Sequence, residues 1–174
     1  MSNLVAVTVV GVDKPGIVAA ITKVLYDRGC NLEDVSSTIL RGHFSMMLLV
    51  HAPSSIDPTA LESELESAGS DLGLSVTVRP VEETSSEFPT PTHMVSVYGA
   101  DQPGIVFRVA EALAEAGANI TDLTSRVIGD ESAPVYAVML EVVFPEGTDP
   151  GSVKSLSDQL EVDVSVHPVE TDVL

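Results

Sequence analysis

The sequence predicts an α+β protein made of two β-α-β-β-α-β units, each a four-stranded antiparallel sheet with two helices on one face. The main observation is a repeat. Residues 11–34 (GVDKPGIVAAITKVLYDRGCNLED) and residues 99–122 (GADQPGIVFRVAEALAEAGANITD) share one pattern at a constant offset of 88 residues. In both copies an apolar strand precedes this segment, and a hairpin, a helix and a strand follow it. That order of elements is the ferredoxin-like plan, written twice.

The first helix of each copy follows a turn that carries an aspartate and a proline. Proline suits a first helical position because its fixed φ is already helical, so Pro15 is predicted to open the helix. Asp13 lies within capping reach of the free N–H groups of that helix, and Gly29 is expected to end it in a left-handed conformation. The equivalent residues of the second copy are Pro103, Asp101 and Gly117.

The rest of the first copy contains three strand patterns and one helix pattern. Asp57-Pro58 is a capping residue followed by a first-position proline, which predicts the start of the second helix. Pro80 near the end of the last strand indicates a sheet edge. The predicted strands that follow the first helix are Leu32–Leu40, Phe44–His51 and Leu74–Val81.

The second copy repeats this plan with one exchange of length. Between Tyr136 and Pro150 the matching residues lie at an offset of 92, and by Val164 the offset is 88 again. We therefore predict a second hairpin that is four residues longer, at Gly129–Pro134. The second helix of this copy is then about one turn shorter.

The repeat also predicts the domain organisation. Domain 1 is expected to span residues 1–82 and domain 2 residues 93–171, and residues 83–92 form a charged, Ser/Thr-rich linker with two prolines. Because each half buries only a modest core, we expect the halves to pack on each other.

Composition excludes several functions. The net charge of −18 leaves eight basic residues among 26 acidic ones, too few for the basic patch that direct nucleic-acid binding needs. The single cysteine, Cys30, excludes a disulfide framework.

No signal peptide or long apolar run is present, so we expect a cytoplasmic protein without membrane contact. No histidine pair has metal-ligand spacing, and no nucleophile pattern, phosphate loop or cofactor motif occurs. We expect no catalytic residue, no metal and no cofactor.

The start of the first helix is a candidate ligand site. Helix N-termini carry free N–H groups and partial positive charge, which suit a carboxylate. In the first copy these N–H groups belong to Gly16, Ile17 and Val18, and glycine leaves room for a ligand to approach. Asp13 can accept hydrogen bonds from an ammonium group, so the turn can hold a free α-amino acid. The equivalent candidates in the second copy are Asp101, Gly104 and Ile105.

These residues resemble the ACT domain, a family of small regulatory modules of which many bind amino acids. The resemblance rests on the apolar strand, the motif G-x-D-x-P-G-I-V, the helix ending in G-x-N-[LI] and the β-α-β-β-α-β order, and it covers both halves. Two ACT domains with nothing else attached resemble the group similar to the glycine cleavage system transcriptional repressor. That resemblance implies regulation through a partner protein.

Asn31 and Asn119 are the remaining candidates, and topology restricts their role. Asp13 ends the first strand and Asn31 begins the second, so the two lie at opposite ends of one domain. They can share a site only if two domains pair antiparallel through their second strands, which would bring Asp13 to Asn119 and Asp101 to Asn31. The resemblance implies such sites, with the turn from one domain and the asparagine from its neighbour.

Structural explanations stand beside this hypothesis. Asp13 and Asp101 can serve as helix caps alone. Gly16 and Gly104 can serve close packing of the helix start on the sheet. Asn31 and Asn119 can serve only the tight turn by which the chain leaves the glycine at the end of the helix.

Three functions follow from these observations. The first is a regulator that senses an amino acid between ACT domains. The second is a protein-interaction module with no ligand, and the third is a regulatory subunit of an amino-acid biosynthetic enzyme. Exposed strand edges also lead us to expect a homodimer.

Overall fold

The computed structural model describes residues 2–82, 90–129, 134–157 and 161–169, with side chains for all of these except Ser2 and Ser152. The chain forms two compact units, residues 1–85 and residues 86–174. Residues 83–89 of the predicted linker lie outside the described residues, and the predicted domain boundaries stay predictions.

The first unit has the predicted order of elements. Its sheet has the strand order β2-β3-β1-β4, and every neighbouring pair is antiparallel. A short 3₁₀ turn, Ser70–Leu72, follows the second helix. The elements are β1 (Ser2–Val12), α1 (Ile17–Asp27), β2 (Asn31–Leu40), β3 (His43–Pro53), α2 (Pro58–Gly69) and β4 (Ser75–Pro80).

The second unit repeats this order, with the sheet order β6-β7-β5-β8. Its elements are β5 (His93–Gly99), α3 (Ile105–Glu115), β6 (Asn119–Ile128), β7 (Val135–Val143), α4 (Gly151–Lys154) and β8 (Asp163–Pro168). The predicted fold class is therefore confirmed.

Parts of the predicted length exchange lie outside the described residues. Residues 130–133 of the longer hairpin and residues 158–160 after α4 are not described. The two hairpins nevertheless differ in length as expected, because six residues separate β6 from β7 whereas two separate β2 from β3.

Each sheet packs both helices of its unit against one face. Alternate residues of β1, such as Val5, Val7 and Val9, are buried in a cluster with side chains from α1 and α2. Successive strand residues point to opposite sides, so the remaining side chains of these strands lie on the face without helices, which we call the open face. The second unit buries the equivalent β5 residues Val95 and Val97 in the same way.

Glycines end the first helix of each unit, as predicted. Gly29 has φ 67°, and its N–H donates to the Tyr26 carbonyl at 2.9 Å. The Cys30 N–H donates to the Leu25 carbonyl at 2.9 Å, which completes a Schellman motif. Gly117, with φ 71°, ends α3 with the equivalent pair of hydrogen bonds.

Local sequence also sets the start of α2 and the first hairpin. The Asp57 carboxylate accepts a hydrogen bond from the Ala60 N–H at 3.1 Å, and Pro58 takes the first position of α2. Arg41 and Gly42 have φ 48° and 81°, as a two-residue type I′ hairpin turn requires. The cap at Asp57 matches the prediction, whereas the hairpin turn is one residue shorter than the Arg41–His43 gap between the predicted strands, because His43 belongs to β3.

The strand β2 forms one edge of its sheet, and all ten of its residues are exposed. The exposed residues include apolar ones, since the exposed fractions of Val35, Ile39 and Leu40 are 52%, 56% and 68%. In the second unit, β6 is the equivalent edge, and all of its residues but Ile120 are exposed. An edge strand with exposed apolar side chains offers both backbone hydrogen bonds and hydrophobic surface to another strand.

In the ranges that the structure describes, no helix has the length and apolar character needed to cross a bilayer.

Two equivalent glycines give a first prediction. A Cβ at Gly99 would lie 2.5 Å from the Val162 Cγ1 and 3.0 Å from its Cβ, whereas a Cβ at Gly11 would lie 2.7 Å from the free end of the Leu74 side chain. Valine is stiff at χ1 and leucine adapts more easily. We expect Gly99→Ala to cost about 2–3 kcal/mol and Gly11→Ala about 1 kcal/mol, measured by urea unfolding. Equal costs would contradict this steric explanation.

Candidate functional site

Each predicted site begins with a tight turn between the first strand and the first helix of its unit. Gly16 has φ 95° and ψ −7°, the values of the third residue of a type II turn, and Pro15 occupies the second position. Gly104 has φ 96° and ψ −3° after Pro103. The prediction that proline opens the helix is therefore wrong by two residues, because the left-handed glycine must come between the proline and the first helical residue.

The helix starts leave backbone donors free. The first intrahelical bond of α1 runs from the Ala20 N–H to the Gly16 carbonyl at 2.9 Å. In α3 the Arg108 N–H donates to the Gly104 carbonyl at 2.9 Å. No described residue accepts a hydrogen bond from the N–H groups that precede these donors, namely those of residues 16–19 and 104–107.

Asp13 and Asp101 do not cap these helices. Neither α1 nor α3 has a side-chain hydrogen bond at its N-terminus. The Asp13 backbone N–H donates to the Gly42 carbonyl at 2.9 Å. The two carboxylates are exposed and accept no hydrogen bond from any residue that the structure describes. The capping explanation is thus wrong, since the type II turn places the glycine and not the aspartate at the capping position.

The packing explanation for Gly16 and Gly104 is also wrong. A Cβ added at either position would meet no heavy atom within 4 Å. Glycine is needed there for its positive φ, which other L-residues adopt at a cost. The space beside each turn is open to a ligand.

Asn31 and Asn119 follow the Schellman motifs directly. Both side chains are exposed, and neither makes a hydrogen bond with a described residue. The exit from each helix is completed by the backbone bonds of Gly29, Cys30, Gly117 and Ala118. The amide groups therefore do not contribute to the turn by hydrogen bonding.

Strand register places the two parts of the predicted site at opposite ends of each sheet. Asn31 is opposite His51, which is opposite Leu4, whereas the Asp13 end of β1 has Val12 opposite His43. The strand between Leu4 and Asp13 covers about 30 Å at about 3.3 Å per residue. The same separation holds in the second unit, where Asn119 is opposite Val143 near the start of β5. The structure thus brings Asp13, Gly16 and Ile17 together, and Asp101, Gly104 and Ile105 likewise, but neither asparagine joins them within its unit.

One feature beside Asn31 was not predicted. His51 lies opposite Asn31, and its Nε2 is 3.1 Å from the Glu33 Oε2. Glu33 is available because the register shifts between Leu32 and Asp34. A bulge of this kind leaves no mark in the sequence, so the pair could be found only from the strand pairing. The second unit has Thr121 and Val143 at these positions and lacks the pair.

Cys30 is partly buried against the core of the first unit. Burial raises the pKa of its thiol, and the nearby Arg28 charge acts in the opposite direction. The protonated thiol is therefore favoured at neutral pH, and protonated thiols are poor nucleophiles.

Within the described ranges of the structure, no three His, Cys, Asp or Glu side chains lie close enough together to hold a metal ion.

The turn geometry predicts how substitutions at Gly16 rank. Because the constraint is the positive φ and not space, Gly16→Ala should cost about 1–2 kcal/mol. Gly16→Asn should cost less, since asparagine adopts the left-handed region more readily. Urea unfolding of the two variants would measure both costs. An asparagine variant less stable than the alanine variant would contradict this explanation.

Comparison with known proteins agrees with this geometry. The sequence profile of the ACT domain matches residues 3–79 and residues 93–151. A UPF0237 protein of Methanopyrus kandleri is 45% identical over 74 residues, which cover 42% of this chain and 82% of that protein. Phosphoserine phosphatase SerB2 of Mycobacterium tuberculosis is 30% identical over 145 residues, which cover 82% of this chain but 34% of that enzyme.

Two solved structures are similar over the whole chain. An unknown protein from Galdieria sulphuraria has a TM-score of 0.77 and 27% identity, and the match covers 98% of this chain and 100% of that one. A protein assigned as a glycine cleavage system transcriptional repressor has a TM-score of 0.70 and covers 98% and 99% of the two chains, but its 19% identity shows the fold alone. The profile matches, the duplicated turn and the two antiparallel sheets agree, and the chain belongs to the ACT domain family, with one ACT domain in each unit.

Proposed function

We propose that this chain is a cytoplasmic, non-enzymatic regulatory protein that binds a free α-amino acid between ACT domains and thereby changes its contact with a partner protein. The observation that carries the proposal is the pair of turns in which an aspartate carboxylate, without a hydrogen-bond partner among the described residues, lies beside helical N–H groups that are free of such partners too. An exposed carboxylate and a row of free donors match the two charged ends of an α-amino acid.

Each turn can serve the two ends of the ligand separately. The free N–H groups of Gly16 and Ile17 suit the ligand carboxylate, and Asp13 suits the ammonium group. Gly104, Ile105 and Asp101 offer the same set in the second domain. Hydrogen bonds to charged groups are roughly twice as strong as neutral ones, so these contacts can hold a small ligand.

The proposal assigns Asn31 and Asn119 to the same sites, and this requires two domains for each site. Asp13 would act with Asn119, and Asp101 with Asn31, across paired second strands. The exposed apolar edges of β2 and β6 support such pairing, because they gain both backbone hydrogen bonds and hydrophobic burial from it. In a homodimer, other exposed strand edges would pair with an edge of the second copy in the same way.

The proposed partner is a protein and not a nucleic acid. The charge of −18 opposes close approach to a phosphate backbone. One similar fold belongs to a protein assigned as a glycine cleavage system transcriptional repressor, which supports a role in regulating transcription or metabolism.

A second function, protein interaction without a ligand, is supported by the same exposed apolar edges. In that case β2 or β6 would accept a strand from another protein, and the two turns would be empty.

Ligand binding is tested first by thermal shift against the twenty amino acids, with calorimetry on each hit. A ligand at 100 times its Kd should stabilise the domain by about 2.7 kcal/mol. The double variant Asp13→Asn, Asp101→Asn should weaken binding about tenfold or more, because each site loses a charge-assisted hydrogen bond.

The matched control for that experiment is Glu66→Gln, which removes an exposed carboxylate from α2. It should leave the affinity unchanged. A fold retained in all variants with no response to any amino acid would reject the sensor and favour the interaction module.

Two further double variants test the pairing of domains. If Asp13 acts with Asn119, the pair Asp13→Asn, Asn119→Ala damages one site twice and leaves one functional site per chain. The pair Asp13→Asn, Asn31→Ala damages both sites. The number of sites per chain that keep the wild-type affinity should therefore be one for the first variant and zero for the second, as measured by calorimetry. The reverse result would show that equivalent domains of two copies pair instead.

A further inference from the structure

We propose that the open face of the second unit is a separate binding site for a small zwitterion whose ammonium and carboxylate groups are separated by several carbon atoms. The proposal rests on a cavity of about 410 Å³ on this face. Its lining residues come from three neighbouring strands and are Met94, Tyr98, Asp122, Thr124, Arg126, Ile128, Ala137, Met139 and Glu141.

Strand register arranges this lining in rows. Asp122, Glu141 and Met94 are opposite one another, and they form an acidic row. Arg126, Ala137 and Tyr98 form a row four residues away along the strands. About 13 Å of backbone separates the two rows, at about 3.3 Å per residue.

Small and apolar side chains line the cavity at and between these rows, beside the side chain of Thr124. Ala137 is buried, and it lies between the larger Arg126 and Tyr98. Met139 contributes an exposed thioether to the row between the charged ones. A ligand can therefore lie across Ala137 and Met139 with a charged group at each end, and the volume falls in the range of small-molecule sites.

The charged groups of this cavity lack partners of opposite charge. Within the described ranges, Arg126 and Glu141 form no ion pair, and the Asp122 carboxylate accepts only a 3.5 Å hydrogen bond, from the Thr124 hydroxyl. Asp122 and Glu141 are directly opposite in register, and like charges so placed destabilise a sheet. A bound ammonium group would relieve that repulsion, and Arg126 would hold the carboxylate.

The first unit shows that the fold does not require this arrangement. Its open face has the same register, with Asp34 opposite Leu49 and Thr38 opposite Ser45. Leu49 and Thr38 stand where the second unit has Glu141 and Arg126, and Val10 stands where it has Tyr98. Glu141 and Arg126 are thus specific to the second unit, and the sheet of the first unit forms without the repulsion that Asp122 and Glu141 create.

Two classes of small molecule carry an ammonium and a carboxylate group separated in this way. An ω-amino acid places its charges at the ends of an alkyl chain, and a short peptide places them at its termini. Three extended residues span about 10 Å, so a tripeptide has a suitable length.

Calorimetry on the full chain tests the site with four probes: 6-aminohexanoate, hexylamine, hexanoate and trialanine. We expect one binding site per chain for 6-aminohexanoate or trialanine and at least about tenfold weaker binding of the two singly charged probes. Preference for trialanine assigns the site to short peptides, and preference for 6-aminohexanoate assigns it to ω-amino acids. Equal binding of hexylamine, or no binding of either zwitterion, would overturn the proposal.

Variants in which cavity residues are replaced by their equivalents from the first unit test where the ligand binds. Arg126→Thr and Glu141→Leu should each weaken binding by about tenfold, and Glu141→Leu should also raise the Tm of the free protein by about 1–4 °C. Arg79→Thr removes an exposed arginine from the open face of the first unit and should change nothing. An unchanged affinity in Arg126→Thr would overturn the proposal.

This site is independent of the proposed amino-acid sensor. The variant Asp13→Asn, Asp101→Asn should bind the zwitterion normally, because neither aspartate lines the cavity. Loss of amino-acid binding with retained zwitterion binding, or the opposite, would therefore separate the failure of one proposal from the failure of the other.

Discussion

The antiparallel register of the sheet is the constraint on which the rest of each domain depends. Because β1 pairs with β3 and β3 with β2, the residue that ends β1 and the residue that begins β2 lie at opposite ends of the sheet. The helix α1 returns the chain from one end to the other. The aspartate turn and the asparagine are thus held about 30 Å apart in a single domain. A small ligand therefore cannot contact both within one domain.

The duplicated turn shows how a backbone requirement can leave a side chain available. The left-handed conformation of Gly16 and Gly104 takes the capping position of each helix. The carboxylate of the aspartate three residues earlier then accepts no hydrogen bond from a described residue, and the helical N–H groups have no capping acceptor among those residues. The glycine therefore determines the fold of the turn, and the unpaired charge beside it is free for another purpose.

The two domains have the same residues where the backbone conformation requires them and different residues on their surfaces. Both have a glycine at the start and the end of the first helix, and both have a register shift in the following strand. On the open face they diverge, since Leu49 and Thr38 correspond to Glu141 and Arg126. His51 and Glu33 likewise have no charged equivalents beside Asn119. A duplicated protein of this kind can keep one fold and carry different chemistry on its two domains.

The sequence by itself determined the duplication, the β-α-β-β-α-β order, the glycine helix ends and the cap at Asp57. These features depend on residues close together in the chain, where propensity and hydrogen bonding act locally. It also indicated that Asp13 and Asn31 lie at opposite ends of a domain, because that follows from strand direction alone. The tertiary structure decided that Pro15 precedes the helix by two residues and that Asp13 is not a cap. It also decided which side chains meet across strands, as His51 and Glu33 do beside a bulge and as Asp122 and Glu141 do on the open face. Those contacts depend on register, which is fixed by pairing between distant segments.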